Sequence, residues 1–389
     1  MLFKDIYSWL YIIIASGMIA IGRLYDERLE LGGVNFSIIL SLLFILFSIP
    51  FLPSIKNVKI CSSKMYLFIF LLLVVLSPIL WFPYGFTEYG LYKYINFIFV
   101  VIPLVLISSI FTYQDVRRLF LTLLYFIFFL AILGVVIVSS STERLSVLGG
   151  GPIVFARWMI IGIIILFFLK QKSLKNSILI IGLFVLSIST GSRGPILSLL
   201  LTAVIFFLLN FQNIFFKFIF IIFILTSFLF VFDSLNIQEI GKTERLVTKD
   251  NTSKNARLYF AFRSLELLSI YPTGVGIGNW QEYSNKTKKY HLLKHDYPHN
   301  LILEVFSELG LLGGIVLLLV LLKSIYFTFF RMLRYSKENS IYNLLFYLQL
   351  FLLFNSMFSG DLNDSRFLFI IISISLISEP LLKKRINEN

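Results

Sequence analysis

Long apolar runs alternate with short polar segments along almost the whole chain. Most of the runs approach the roughly 20 residues that an α-helix needs to cross a bilayer. The pattern therefore predicts an all-α polytopic membrane protein with about twelve transmembrane helices, of which the first, seventh and eighth are the weakest. The runs lie at 7–22, 36–52, 65–82, 91–111, 119–139, 153–169, 177–190, 195–209, 214–232, 299–322, 341–358 and 366–382.

The composition excludes an ordinary soluble globule. Of the 389 residues, 58% are hydrophobic and 14% are charged, and the mean hydropathy is +0.88. Prolines inside the runs do not exclude helices, because neighbouring helices can satisfy the backbone groups that a proline frees. The first run also has features of a signal peptide, but the many spans that follow favour a retained helix over a cleaved signal.

The distribution of lysine and arginine predicts the orientation. With the N-terminus in the cytoplasm, seventeen Lys and Arg fall in the inside segments and seven in the short outside segments. The positive-inside rule then puts both termini in the cytoplasm. The net charge of +13 reflects this bias, and no basic cluster in a soluble segment indicates nucleic-acid binding. Cys61 is the single cysteine, which excludes disulfides and Cys-rich metal sites.

One polar segment, 233–298, is long enough to fold outside the bilayer, and the orientation makes it extracytoplasmic. The predicted domains are 1–232 with helices 1–9, 233–298 as this long loop, and 299–389 with helices 10–12 and a cytoplasmic tail. Within the loop, Asn255 to Ile270 is predicted to form an amphipathic helix, followed by a flexible turn at glycines 274, 276 and 278. The apolar face of that helix would consist of Leu258, Phe262, Leu265 and Leu268.

Arginines near the outer boundary are candidates for binding phosphate. Arg193 lies in a polar break between two apolar runs, where its fork of donors suits a phosphate better than a lysine would. The alternative is an arginine that extends to the lipid headgroups. Arg257 and Arg263 lie in the long loop, and because a spacing of six does not put two residues on one helix face, they do not form one clamp. A solvated surface position is the alternative for both.

His299 opens the tenth helix and is followed directly by Asn300. A neutral imidazole at a helix start near the membrane face can accept a proton or contact a phosphate. The alternative is a residue that only caps the helix. Glu304 and Glu308 follow on the same helix, and Glu304, buried below the interface, would need a partner.

Three further sequence patterns do not indicate a catalytic or ligand-binding site. The glycines at 274–278 lack the flanking strand and helix of a dinucleotide site. Gly310 and Gly314 form a GxxxG pair that permits close helix packing. Asp361 and Asp364 do not by themselves make a metal site, so none is predicted.

Several short motifs, taken in their order and spacing, resemble the O-antigen ligase and polymerase superfamily. They are GSRG (191–194), ARL (256–258), YPTGVGIGN (271–279), HNLILE (299–304) and ELG (308–310). Arg144, with GGGP at 149–152, resembles a weaker upstream segment of that family. The specific resemblance covers residues 185–315, and the N-terminal half agrees in hydropathy only.

The resemblance implies a multi-span, GT-C-like glycosyltransferase of the bacterial inner membrane with its active site on the periplasmic face. It would be an inverting enzyme without metal or cofactor, and its donor would be a glycan on undecaprenyl diphosphate. Arg193 and Arg257 would bind the donor diphosphate, and His299 would act at the reacting centre, as the base or as a group that orients the substrate. Membrane lipid and a chain-length regulator protein are further candidate partners. Secondary candidates for the site are Arg263, Asn300, Glu304 and Arg144.

Three functions remain open at this point. The leading one is a polymerase, which moves a lipid-linked glycan onto a sugar hydroxyl of another lipid-linked repeat unit. The near alternative is a ligase, which moves the finished glycan onto lipid A-core. The more distant alternative, a flippase or transporter of the same lipid, would show charged or broken helices near mid-bilayer, whereas these candidates lie near the outer boundary.

Overall fold

Helices make up nearly all of the described structure. The computed structural model describes residues 2–21, 30–31, 34–51, 62–81, 84–138, 145, 147, 151–170, 173–210, 251–287, 297–335 and 340–377. Within these ranges, the extended structure consists of a two-residue antiparallel strand pair, β1 (Glu30–Leu31) with β2 (Val34–Asn35), and a bridge residue, Val147. The prediction of an all-α architecture is confirmed for the described residues.

The helices fall into two groups along the chain. The first group is α1 (Leu2–Ile21), α2 (Phe36–Ser48), α3 (Ser62–Val75), α4 (Ser77–Leu80), α5 (Glu88–Asn96), α6 (Ile102–Ser108) and α7 (Tyr113–Val138). A 3-10 turn, Ile49–Phe51, follows α2, and a π-helical turn, Phe97–Val101, joins α5 to α6. The second group is α8 (Pro152–Leu169), α9 (Leu174–Ser189), α10 (Arg193–Asn210), α11 (Asn251–Ile270), α12 (Trp280–Thr287), α13 (Leu301–Tyr335), α14 (Ser340–Phe358) and α15 (Arg366–Ser375).

Described helices coincide with eleven of the twelve predicted apolar runs, and the run at 214–232 lies outside the described residues. Six helical segments in the described ranges are long and apolar enough to cross a membrane. They are Glu88–Ser108, Tyr113–Val136, Pro152–Leu169, Arg193–Asn210, Leu301–Tyr335 and Ser340–Phe358. Five further apolar segments, of 10–17 residues, are shorter: Trp9–Ala20 within α1, Ile38–Ser48, Lys64–Val75, Leu174–Ser189 and Arg366–Ser375. The number of twelve spans therefore stays a prediction.

Apolar side chains occupy both the centre and the periphery of the helix bundle. All residues of α15 are buried, and this helix packs against α6, α13 and α14. On the periphery, α7 and α9 expose large apolar side chains such as Tyr125, Ile132 and Ile178. A water-soluble protein would bury such residues, whereas lipid tails solvate them without cost. The exposure pattern therefore agrees with a protein that is embedded in lipid.

The long helix α13 is broken at Gly310, where φ is 69° and ψ is −169°. In an unbroken helix the Leu311 N–H would donate to the carbonyl of Ser307. Here the Leu311 N–H instead donates to the carbonyl oxygen of Pro272, at 2.9 Å. The break thus exchanges a bond within the helix for a bond to the segment that follows α11.

That segment, residues 271–279, is called here the glycine loop. Its Val275 N–H donates to the carbonyl of Ser307, and its Gly276 N–H donates to the carbonyl of Glu308 at 2.8 Å. The carbonyls freed by the break in α13 are therefore satisfied, as they must be inside a membrane protein. The predicted turn is present, since the Gly274 N–H donates to the carbonyl of Tyr271 at 2.9 Å, and residues 274–280 are buried against α13.

Close backbone approach explains the glycines at the break. Both Gly274 and Gly310 have positive φ, and a Cβ on Gly274 would lie 2.5 Å from the Glu308 carbonyl oxygen. A Cβ on Gly310 would lie 2.6 Å from the carbonyl oxygen of Pro272. The GxxxG interpretation is therefore corrected at Gly310, since this glycine packs against a loop and allows a helix break instead of packing against another helix.

We expect Gly274→Ala to destabilise the protein by more than about 3 kcal/mol, because the added Cβ meets backbone atoms and φ is unfavourable for alanine. Gly85→Ala is the matched control for conformation, since Gly85 has φ of 67° with open space around its Cβ position. That variant should lose only about 1–2 kcal/mol. Gly182→Ala, in a regular helix with open space, should stabilise the protein by about 0.5–1 kcal/mol. Thermal unfolding of the purified variants checks this order, and equal losses for Gly274→Ala and Gly85→Ala would contradict it.

Helix α11 confirms the predicted helix in the long loop but buries a different face. Its buried residues are Phe260, Arg263, Ser264 and Leu267, whereas Phe262 and Leu265 are 69% and 51% exposed. The reason is its partner, because Phe260 and Leu267 pack with Val275 of the glycine loop and Trp280 of α12. Phe262 and Leu265 of the predicted apolar stripe therefore point away from the contact, whereas Leu268 is half-buried and the side chain of Leu258 lies outside the described residues.

Candidate active site

His299 lies immediately before α13 in an unusual backbone conformation. Its φ is 55°, and among the described non-glycine residues it is the one with positive φ. Asn300 caps the helix, since its side-chain oxygen accepts from the N–H groups of Ile302 and Leu303, at 3.1 Å each. The expected capping role thus belongs to Asn300 and not to His299. Backbone strain of this kind is tolerated where the surroundings impose it, and it is common at functional sites.

Two aromatic rings hold the imidazole of His299 in place. The ring of Phe260, from α11, is stacked on it with centroids 6.0 Å apart, and the ring of Tyr297 lies at 4.0 Å. Phe260 is itself packed against Trp280. The imidazole is therefore fixed against the helix that carries Arg257.

Arg257 lies one helical turn before Phe260 and is half-buried. Burial lowers the pKa of its guanidinium, and the nearby Tyr297 acts in the opposite direction. A guanidinium stays protonated at neutral pH even so. Because Tyr297 lies beside both Arg257 and His299, the structure brings these two predicted site residues to one place.

Arg193 is the first residue of α10 and lies next to the C-terminal end of α14. A Cβ on the adjacent Gly194 would touch Phe358 and Ser359, at 3.4 and 4.0 Å. Asn300, which follows His299, donates to the carbonyl of Met357 at 3.4 Å. Arg193 and His299 therefore flank the same helix end, called here the site end of the bundle.

The secondary candidates take different positions. Arg263 is 2% exposed and donates to the carbonyl oxygen of Ser284 and to Glu266, both at 2.5 Å, so it ties α11 to α12. The side chain of Arg263 therefore does not share a helix face with that of Arg257, as their six-residue spacing predicts. Asn300 is the helix cap described above. Arg144 lies outside the described residues.

Glu304 has the partner that its burial requires. The ammonium group of Lys93, from α5, forms ion pairs with Glu304 and with Glu308, the latter at 2.6 Å. All three residues are at most 3% exposed. Lys93 is one of the seven Lys and Arg counted above in the short outside segments and was not predicted as a site residue, although an ionisable residue inside an apolar run is itself a sign of function.

The turn after α14 packs against the same ionic residues. Asp361 accepts from the hydroxyl of Tyr89, a residue of α5, at 3.2 Å. The amide of Asn363 donates to the carbonyl of Lys93 at 3.1 Å. Asp361 also accepts from the backbone N–H of Asp364 at 2.7 Å. The acidic pair at 361 and 364 therefore helps to form this turn.

The described fold is a bundle of apolar helices in which Arg193 and His299 flank the C-terminal end of α14 and Arg257 lies near Tyr297, beside His299. Residues 177–318 match the sequence model of the O-antigen ligase family. This match confirms the resemblance to the O-antigen ligase and polymerase superfamily, and together with the apolar helices it indicates a multi-pass membrane protein. The matched range contains Arg193, Arg257, His299 and both glutamates, and it excludes Lys93. A comparison with curated proteins gives no match.

Proposed function

We propose that the protein is an inverting polysaccharide polymerase that transfers a glycan from undecaprenyl diphosphate to a sugar hydroxyl of another lipid-linked repeat unit. The proposal is supported by the positions of Arg193 and His299 on either side of the C-terminal end of α14, with Tyr297 beside both His299 and Arg257. The family match supports the class of reaction. An inverting enzyme gives a product whose anomeric configuration is opposite to that of the donor, which NMR of the product measures.

The two arginines are suited to the leaving group. When the bond between the sugar and the diphosphate breaks, negative charge builds up on the diphosphate. Guanidinium groups that are already in position stabilise this charge most in a site with little water, and each can bind two phosphate oxygens at once. Burial of Arg257 favours such a site. Two arginines can thus take the place of a divalent metal.

His299 is suited to act on the attacking hydroxyl of the acceptor sugar. Its imidazole would remove the proton from the attacking sugar hydroxyl, or orient that hydroxyl, as the new bond forms. The rings of Phe260 and Tyr297 restrict its orientation. Such a fixed position lowers the entropic cost of aligning two substrates, both of which are held in the same membrane plane by their lipids.

The proposal includes an orientation for the chain. The site end would face the periplasm, with residues 233–298 forming the extracytoplasmic loop and both termini in the cytoplasm of a bacterial inner membrane. The excess of lysine and arginine in the opposite connecting segments supports this orientation. A chain-length regulator protein would then meet the enzyme at the membrane.

A ligase is the second candidate, because the matching family is described as O-antigen ligase. Deletion of the gene in its native strain separates the two functions on a lipopolysaccharide gel. We expect lipid A-core that carries one repeat unit, since ligation continues without polymerisation. Bare core with accumulated lipid-linked polymer would contradict the polymerase and favour the ligase. An unchanged ladder would contradict both.

A further inference from the structure

Lys93, Glu304 and Glu308 form a buried ionic cluster just inside the site end. The two glutamates are four residues apart and therefore lie on one face of α13. One carboxylate oxygen of Glu304, Oε2, is buried and makes no hydrogen bond to any described residue. Among the described side chains, Lys93 is the cation that offsets both carboxylates. Isolated charges are very costly in such surroundings, so the cluster is held together strongly.

The cluster lies where three parts of the site meet. Glu304 and Glu308 lie in the first segment of α13, between His299 and the break at Gly310. The backbone of Glu308 accepts from Gly276 of the glycine loop. Lys93 belongs to α5, so its two ion pairs join this helix to the segment that starts directly after His299.

Helix α5 is also joined to the glycine loop. Asn279, which is fully buried, donates to the carbonyl of Gly85 at 2.8 Å and accepts from the N–H of Thr87 at 3.2 Å. The two backbones approach closely, since a Cβ on Gly90 would lie 2.8 Å from the carbonyl oxygen of Ile277. Lys93 therefore completes a closed set of contacts between α5, the glycine loop and the first segment of α13.

We propose that Lys93 is a positioning residue for glycan transfer, which sets the place of His299 by holding the first segment of α13 against α5. This inference rests on the proposed function. Lys93 acts through Glu304 and Glu308 and touches no substrate, because its ammonium group is buried and engaged by both carboxylates. A displacement of about 1 Å at a reacting group can lower a rate by about 100-fold. The loss should therefore appear in kcat, whereas donor affinity, which depends on Arg193 and Arg257, should persist.

The test compares Lys93→Met with the triple variant Lys93→Met/Glu304→Gln/Glu308→Gln. The single change leaves two buried carboxylates without their cation, whereas the triple change removes all three charges and keeps the side-chain volumes. Lys93→Arg serves as the conservative variant. Each protein is purified in lipid nanodiscs. The dissociation constant of the undecaprenyl-diphosphate-linked repeat unit, the kcat of transfer and the melting temperature are measured on the folded fraction.

We expect kcat to fall by about 100-fold in Lys93→Met and by about 10-fold in the triple variant, with the donor dissociation constant within about twofold of wild type. Lys93→Arg should retain more activity than either. If Lys93→Met does not fold, the triple variant and Lys93→Arg carry the test. A wild-type kcat in the folded triple variant would overturn the proposal in favour of a purely structural role. Weaker donor binding without recovery in the triple variant would overturn it in favour of direct substrate contact.

The same measurements separate this inference from the proposed function. If the wild-type protein binds the donor but transfers nothing to a lipid-linked acceptor, the polymerase function is wrong. If the wild type transfers glycan and all Lys93 variants do so at the same kcat, only the positioning role is wrong.

Discussion

Replacement of either Arg193 or Arg257 by alanine is expected to lower glycan transfer by at least about 100-fold while leaving the amount of folded protein unchanged. Removal of one preorganised donor that stabilises developing negative charge typically costs about 100- to 1,000-fold in rate. Both arginines lie at helix positions whose neighbours hold the backbone: Gly194 packs on α14, and Phe260 packs on His299. The alanine variants should therefore fold. Transfer is measured with purified enzyme, undecaprenyl-diphosphate-linked repeat units and EDTA.

Control variants separate the effect of the arginine's positive charge from that of its planar fork of donors. Arg193→Lys keeps the charge but loses the fork of donors, so it should retain more activity than Arg193→Ala and less than wild type. Arg334→Ala makes the same chemical change at an exposed residue near the far end of α13 and should transfer glycan normally. Normal transfer by Arg193→Ala or Arg257→Ala would contradict the proposal that these arginines stabilise the departing diphosphate. Transfer that requires added Mg²⁺ would contradict the metal-free mechanism.

Much of this architecture can be predicted from hydropathy alone. A membrane-spanning helix must satisfy its own backbone hydrogen bonds in lipid, so its length and apolar character are visible in the sequence. The helices α8 and α14 accordingly begin and end within one residue of the apolar runs at 153–169 and 341–358. The polar break predicted around Arg193 also appears, between α9 and α10, with Arg193 as the first residue of α10.

Hydropathy does not reveal which helices and loops pack against one another. The stripe of Phe262 and Leu265 on α11 is exposed, because the contact with α12 and the glycine loop uses Phe260 and Leu267 instead. A helix beside a membrane can expose apolar side chains without the penalty that water would impose, so apolar spacing does not identify its buried face. The break at Gly310 depends likewise on the glycine loop, 35 residues earlier in the chain.

The candidate site was likewise predictable only in part from the sequence. The motifs predicted Arg193, Arg257 and His299 as site residues, and the structure adds their surroundings: the stacked ring of Phe260, the cap at Asn300 and the end of α14. Lys93 is separated from Glu304 by more than 200 residues. The need of Glu304 for a partner can be predicted from its place in an apolar helix, whereas the identity of that partner requires the fold.

Substitution of His299 is expected to remove transfer and leave donor binding in place. Loss of a general base or of a group that orients the nucleophile costs about 100- to 10,000-fold in rate. His299→Gln distinguishes the two roles, because glutamine can hold a hydroxyl by a hydrogen bond but cannot take its proton. If His299 is the base, His299→Gln should be as slow as His299→Ala. If it only orients the hydroxyl, the glutamine variant should be clearly faster.

The positive φ of His299 allows its effects on stability and on activity to be measured separately. Because φ is 55° at this position, glycine should be tolerated better than alanine, and His299→Gly should be more stable than His299→Ala by about 1 kcal/mol. Both variants should nevertheless fail to transfer glycan, so stability and activity change independently. Thermal unfolding and single-turnover transfer, measured on the same preparations, check the two parts. Wild-type transfer by His299→Gly would show that the strained conformation serves the helix start at Asn300 and not the reaction.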